Sequence, residues 1–216
     1  LAMNEVDLII GNNNKNKILE YIKEYDGKRK EKIIDISKQE KFEDYILEKK
    51  LDKTRAFIKI QDGCNEFCTY CIIPHVRGRV RSRKLESVIK EVKKLRDNGY
   101  KEIVFTGIHV TSYGKDLDYK IDLIDLLNEV NKINGIKRLR LSSLEPTFLD
   151  ENNIKRLSNI SKLVNHFHLS LQSGSDSVLD RMNRNYKTNK YLKVVKNIRK
   201  YFNNPSITND IIVGFP

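Results

Sequence analysis

Three cysteines fall within eight residues, Cys64-Asn-Glu-Phe-Cys68-Thr-Tyr-Cys71, and the chain has no others. An odd number in one tight group does not build a disulfide framework. The spacing C-x3-C-x2-C instead reads as reduced thiols holding a metal in a cytosol-like, cytoplasmic compartment. Three thiolates this close can wrap three corners of an iron–sulfur cube, whose irons favour soft sulfur ligands. The fourth iron then keeps an open position, which a reactive site needs and a closed structural site avoids. A second reading stands beside it. His75 follows Cys71 by four positions, and Cys64, Cys68, Cys71 and His75 have the ligand types of a tetrahedral zinc site in a small RNA-binding module.

Directly after the cysteines, Arg77, Arg79, Arg81, Arg83 and Lys84 place five cations in eight residues. A guanidinium forks well onto phosphate, so the tract is a candidate contact for a nucleic-acid backbone. The plain alternatives are a solvated loop or arginines paired inside the fold. Over the whole chain, 41 Lys+Arg against 29 Asp+Glu give a net charge of +12, which favours polyanionic partners. The abundance of lysine, asparagine and isoleucine also fits an AT-rich genome, so the local cluster carries more weight than the total.

The elements that must position these residues are legible from residue 56 onward. Short β-rich runs at 56–60, 102–106, 137–142, 166–171 and 207–213 alternate with helical periodicities. Leu85, Val88, Ile89, Val92 and Leu95 form one apolar helix face, ended by Gly99. Leu123, Leu126, Leu127 and Val130 form a second, and Thr188 can cap a third helix carrying Tyr191, Val195, Ile198 and Phe202. Five such alternations predict a parallel sheet with right-handed crossovers. Ligands of that architecture gather past the carboxyl ends of the strands. In this chain those places are residues 61–71, 107–113, 143–146, 172–175 and Gly214. Small zinc modules carry little surrounding core, so a long βα series beneath the cysteines favours the cluster.

Upstream, residues 1–25 read as a strand from Val6 to Ile10 and a helix from about Lys15 to Tyr25. Residues 26–55 are charge-dense, with Lys28, Arg29, Lys30 and Lys32, and read as a basic linker with one helical patch near Phe42, Tyr45 and Ile46. No apolar run approaches the roughly 18 residues of a membrane span, and no signal-peptide pattern opens the chain. A start at Leu1 and an end at Gly214-Phe215-Pro216, straight after an apolar strand, read as a piece cut at both ends.

C-x3-C-x2-C after the first strand of a βα series resembles the radical S-adenosylmethionine (SAM) enzymes. The tract Gln61-Asp-Gly-Cys-Asn-Glu-Phe-Cys-Thr-Tyr-Cys-Ile-Ile-Pro-His-Val-Arg-Gly78, followed by Ser82-Arg83, is similar to the methylthiotransferases that act on tRNA or a ribosomal protein. Thr106-Gly-Ile-His109, His168-Leu-Ser-Leu-Gln-Ser-Gly-Ser175, Met182-Asn-Arg-Asn-Tyr186 and Asp210-Ile-Ile-Val-Gly-Phe-Pro216 extend the resemblance over residues 56–216. Within it, Gly107-Ile-His-Val-Thr-Ser-Tyr-Gly114 and Ser142-Ser-Leu-Glu-Pro146 look most like the branch acting on N6-threonylcarbamoyladenosine beside the tRNA anticodon. Sibling branches acting on isopentenyladenosine or a ribosomal-protein aspartate are the nearest alternatives.

The resemblance implies a partial (β/α)6 radical-SAM barrel with about five βα units, preceded by a remnant of an α/β N-terminal domain. Cys64, Cys68 and Cys71 would hold a [4Fe-4S] cluster whose open iron binds SAM. Tyr70 matches an aromatic position near the adenine, Thr106 and Gly107 the tract facing the SAM amino group, and Gly214 an adenine-side glycine. Ser143, Glu145, Gln172 and Arg184 are candidates for ribose, carboxylate or substrate contacts. Plainer roles compete: Tyr70 packing under the loop, Gly107 and Gly214 as turn glycines, and Arg184 paired with Asp180 or Asp176. His109 reads as a polar loop residue, His166 and His168 as structural. The implied partners are the anticodon stem-loop of tRNA, facing Arg77, Arg79, Arg81 and Arg83, and an electron donor such as flavodoxin or ferredoxin. Family members also carry an N-terminal domain with a second cluster and a C-terminal RNA-binding barrel. Residues 1–25 resemble only the tail of the former, so the resemblance implies one cluster and SAM here, without complete methylthiolation by this chain alone.

Overall fold

In a strand, alternate residues point to opposite faces, and in the five main strands one alternate set is apolar and the other largely polar. A computed structural model describes the chain except for residues 1, 2, 4, 13, 34, 40 and 45–53. The chain opens with β1 (Leu8–Ile10), α1 (Ile18–Lys23) and β2 (Lys30–Lys32), a small βαβ unit in which β2 pairs parallel to β1. The segment 26–55 is thus more than a connector: it completes that sheet before the chain turns to β3. The strand is shorter than 6–10 because only Leu8–Ile10 find partners on β2, and the helix opens with a 3-10 turn over Lys15–Lys17. Of the helical patch expected near Phe42, Tyr45 and Ile46 lie outside the described residues.

The main body runs β3 (Arg55–Asp62), α2 (Ile73–Arg77), β4 (Arg81–Ser82), α3 (Leu85–Asp97), β5 (Glu102–Gly107), α4 (Leu123–Asn131), β6 (Arg138–Leu141), α5 (Glu151–Ser158), β7 (His166–Gln172), α6 (Asp176–Arg181), α7 (Thr188–Tyr201) and β8 (Ser206–Ile211). Strands β3, β5 and β6 pair parallel in that order, and β7 pairs parallel with β8. Parallel bridges Leu139–Leu163 and Leu144–Leu169 link β6 to the flanks and body of β7. The result is a curled parallel sheet, a half-barrel of five strands, with β4 added antiparallel at the carboxyl end of β3.

The apolar set packs outward. Ile58, Ile60, Ile103, Phe105, Leu139, Leu141, Phe167 and Leu169 meet Val88, Val92 and Leu95 of α3, Leu123, Leu126, Leu127 and Val130 of α4, and Ile154, Leu157 and Ile198 of α5 and α7 in one continuous core. Each such large aliphatic side chain contributes about 1.5–3 kcal/mol on burial. The opposite set is polar: Glu102 accepts Arg138 Nε at 2.9 Å and Arg140 Nε at 3.1 Å, and His168 Nδ1 meets Thr208 Oγ1 at 3.0 Å.

Helix ends follow sequence chemistry. Past α3, Gly99 sits at φ 90°, its N–H bonding Arg96 O at 2.9 Å and the Tyr100 N–H reaching Leu95 O at 3.1 Å, a Schellman closure. Asp122 and Asp125 form a reciprocal capping box on α4, which Arg156 of α5 joins at 2.5 and 2.8 Å. Thr188 is not the cap of α7. It is the first helical residue after Lys187, and its N–H is received by the carboxylate of Asp176 at 2.8 Å, so capping comes from a distant residue rather than a local hydroxyl.

Candidate functional site

The cysteine loop leaves the carboxyl end of β3 through a turn that only glycine permits. Gly63 has φ +71°, and a Cβ there would lie 1.8 Å from the carbonyl oxygen of Arg79. The returning strand then pins the loop, with Cys64 N–H bonding Gly78 O at 3.0 Å and Val80 N–H bonding Asn65 Oδ1 at 3.2 Å. Beneath it, fully buried Gln61 donates its amide to the carbonyls of Asp62 and Gly63 (2.8 and 2.6 Å) and accepts the His109 N–H at 2.7 Å. A Cβ on Gly107 would sit 2.9 Å from Gln61 Oε1, so this glycine serves close packing of β5 on Gln61. Gly214 differs: it is exposed at φ +68° with nothing within 4 Å of a Cβ, so backbone conformation, not crowding, calls for glycine.

All three cysteines are free and partly buried. Cys64 Sγ accepts the Glu66 N–H at 3.5 Å, and burial pushes its thiol pKa up. Cys68 Sγ receives Arg184 Nη1 at 3.0 Å. Through Nη2 the same guanidinium reaches both oxygens of Glu145, at 2.8 and 2.6 Å, and it lies over the Tyr186 ring at 5.0 Å. Both partners of this ion pair are buried, with side chains 7% exposed. Burial pushes the Glu145 carboxyl above its ordinary value, which Arg184 only partly offsets. The partner of Arg184 is therefore Glu145 on the β6 loop, not Asp180 or Asp176. Arg184 Nε is buried with no hydrogen-bond partner among the described residues, and so is Ser142 Oγ at the end of β6.

The remaining expected residues distribute as follows. Tyr70 lies at the loop surface, its hydroxyl 3.4 Å from Arg184 Nη1 and its ring edge-on to Phe215 at 6.2 Å. The Thr106 hydroxyl donates to Ile58 O on β3 at 3.3 Å. Ser143 is exposed past β6. Gln172 ends β7 in the left-handed region at φ 65°, its carbonyl accepting Ile212 N–H at 2.9 Å. His109, read from sequence as a polar loop residue, is built into the site. Its ring nitrogens meet Ser112 Oγ at 2.7 Å and Thr111 Oγ1 at 3.1 Å, 3.8 Å from Glu66 and 3.9 Å from Glu145. Burial lowers its pKa.

In the arginine tract, three of the four candidate phosphate contacts are engaged by carboxylates of the chain. Arg77 forks onto Asp62 at 2.9 and 2.8 Å, and Arg81, buried, lies 3.5 Å from the same carboxylate. Arg83, also buried, pairs with Glu91 and with Asp44 at 2.6 Å. Buried cations such as Arg81 and Arg83 must be met by acids. Of the four, Arg79 alone is exposed with no side-chain partner among the described residues.

Sequence reasoning missed the segment that clasps the loop. Thr69 donates through N and Oγ1 to the carbonyls of Met182 and Arg181, and Asn183 and Asn185 reach back to Phe67 and Glu66. The tract Met182–Tyr186 stood out as a motif, but only the fold brings it 116 positions back along the chain.

The donor set fits an iron–sulfur cluster: three free, soft thiols on one glycine-anchored loop at the carboxyl mouth of a parallel half-barrel. His75 is exposed, its ring edge-on to Phe67 of the cysteine loop at 5.7 Å.

A curled parallel sheet with this cysteine loop at its mouth defines an enzyme class, and residues 58–216 match the family described as the Radical SAM superfamily, to which the chain belongs. That family works with a [4Fe-4S] cluster and SAM. Among curated proteins the chain is 44% identical to tRNA-2-methylthio-N(6)-dimethylallyladenosine synthase of Clostridium tetani (strain Massachusetts / E88), over 98% of the chain and 47% of that protein. It is 41% identical to threonylcarbamoyladenosine tRNA methylthiotransferase MtaB of Bacillus subtilis (strain 168), over 100% of the chain and 48% of that protein. The chain spans about half the length of these relatives. In fold it is similar to the radical SAM methyltransferase TsrM from Kitasatospora setae, with TM-score 0.61, 19% identity and coverage of 76% of this chain and 31% of that one. No helix among the described residues is long and apolar enough to cross a membrane.

Proposed function

We propose that this chain is the SAM-cleaving part of a tRNA methylthiotransferase acting on N6-threonylcarbamoyladenosine beside the anticodon. The observation that carries the proposal is the free Cys64-Cys68-Cys71 set on a pinned loop at the barrel mouth. Cys64, Cys68 and Cys71 would hold a [4Fe-4S] cluster, which would supply the one-electron reducing chemistry that cleaves SAM. The protein's part is placement and exclusion of water. Beside Cys68 the Arg184 guanidinium, held in place by Glu145, presents a fixed positive charge. Tyr70 and Phe215 offer an apolar edge at the mouth, and the open space at Gly214 lets a planar ring approach the backbone. Ser142 Oγ is a buried donor awaiting a partner. Arg79 is the arginine of the tract free to meet RNA phosphate. An electron donor such as flavodoxin or ferredoxin and a cytoplasmic setting belong to the same reading.

The tracts Gly107–Gly114 and Ser142–Pro146 support the threonylcarbamoyl branch. The isopentenyl branch is the second reading, supported by the dimethylallyladenosine relative at 44% identity. Competition binding of the reconstituted chain with anticodon stem-loops carrying either base separates them. Tighter binding of the threonylcarbamoyl form is expected; preference for the isopentenyl form would reassign the branch.

A further inference from the structure

The cysteine loop contains a residue in a costly conformation at its centre. Phe67, between Cys64 and Cys68, has φ 49°, a left-handed backbone that a bulky side chain adopts only when its surroundings hold it there. The peptide units at that point present the carbonyls of Glu66 and Phe67 outward from the loop. One side chain receives both: Asn183 Nδ2 donates to Phe67 O at 3.1 Å and lies 3.4 Å from Glu66 O. Asn183 is itself left-handed, φ 56°, at the turn between α6 and α7. Asparagine suits both demands, because its short amide tolerates that backbone and carries two donors.

The turn behind it is anchored. Met182 is fully buried, Asn183 N–H bonds Asp180 O and Arg184 N–H bonds Leu179 O, each at 2.9 Å. On either side of Asn183, Thr69 Oγ1 bonds Arg181 O at 2.8 Å and Asn185 Nδ2 bonds Glu66 Oε2 at 2.5 Å. A rigid turn on the far side of the barrel mouth therefore grips the middle of the ligand loop.

We propose that Asn183 is a positioning residue that holds the Glu66–Phe67 backbone, and with it the spacing of Cys64 and Cys68, in the arrangement that accepts the cluster. The claim about the cluster rests on the function proposed above, while the claim about the loop stands on geometry alone. Two variants separate the amide from the backbone. Asn183→Gly keeps the left-handed conformation and removes the donors. Asn183→Asp keeps shape and conformation but turns acceptor oxygens on two carbonyls.

Hydrogen–deuterium exchange on the cluster-free full chain reads the loop directly. Both variants are expected to raise exchange in the peptide covering 64–71 about tenfold, as loss of paired hydrogen bonds would, with peptides of β5 and α4 unchanged. After anaerobic reconstitution, iron affinity is expected to fall about 10- to 100-fold, the usual effect of losing an outer partner of a metal ligand set. Exchange in 64–71 equal to wild type, or a rise spread evenly over the core, would overturn the proposal. Should neither variant fold, Thr69→Val removes the neighbouring Arg181 contact without touching a left-handed residue. The same local rise is expected there, and wild-type exchange in 64–71 would contradict the clasp. A wild-type chain that takes up no iron would sink the cluster reading and leave the exchange result to decide the role of Asn183.

Discussion

Arg184 touches three things at once: the Cys68 sulfur, both oxygens of Glu145 and the face of Tyr186. With both members of the ion pair buried, removing one strands the other charge. Glu145→Ala is therefore expected to destabilise the chain by about 3–5 kcal/mol in urea unfolding, and a change below about 1 kcal/mol would show that the pair is not desolvated. The arginine tract makes the contrasting case. Arg79→Ala is expected to leave stability unchanged, weaken RNA binding and lower its salt slope by about 1. Arg81→Ala and Arg83→Ala are expected to act mainly on stability, because their partners Asp62 and Glu91 lie inside the protein. An unchanged salt slope on loss of Arg79 would remove it from the RNA surface. At this scale the sequence disclosed the three cysteines through spacing, and Arg184 and Glu145 through resemblance. It did not disclose their pairing across 39 positions, nor which arginines of the tract are buried.

Strand β3 ends in a charge cluster that steadies the cysteine loop. Asp62 takes Arg77, Lys59 at 2.5 Å and the Gly63 N–H at 2.9 Å. Burial alone would raise the Asp62 carboxyl, but the Lys59 hydrogen bond and charge, the Gly63 N–H and Arg77 outweigh it and hold the pKa below its ordinary value. A depressed folded pKa means the contribution is complete above the unfolded carboxylate value of about 3.9 and is lost as pH falls through the folded one. Wild type should therefore lose stability below about pH 4 more steeply than Asp62→Asn, measured by thermal unfolding across pH 2–6; parallel curves would refute the assignment. Gly63→Ala is expected to displace the 78–80 segment, since its Cβ would meet Arg79 O at 1.8 Å, and to lower iron uptake with little change in the helices. Helices α3, α4 and α7 and the five main strands were readable because period and burial coincide on them, whereas the short α2, α5 and α6 were not read. The strand β2 was not, because Lys30-Glu31-Lys32 carries no apolar signal and is defined only by pairing with β1.

For the molecule as a whole, sequence and structure converge on one end of the barrel. The loops after β3, β5 and β6 and the α6–α7 turn supply Cys68, His109, Glu145 and Arg184: Arg184 lies 3.0 Å from Cys68 and 2.6 Å from Glu145, which lies 3.9 Å from His109. A parallel βα series makes this convergence expected before any motif is recognised. The clasp between residues 64–71 and 181–185 could not be foreseen, because it depends on how far the sheet curls between β3 and β7. The central claim is that this mouth holds a SAM-binding iron–sulfur cluster. Its most direct test is anaerobic reconstitution with iron and sulfide, followed by metal counting and visible absorption with and without SAM, on wild type and Cys68→Ala. About four irons per chain, an absorption perturbed by SAM and loss of both in the variant are predicted. One zinc per chain and no iron–sulfur absorption would contradict the account.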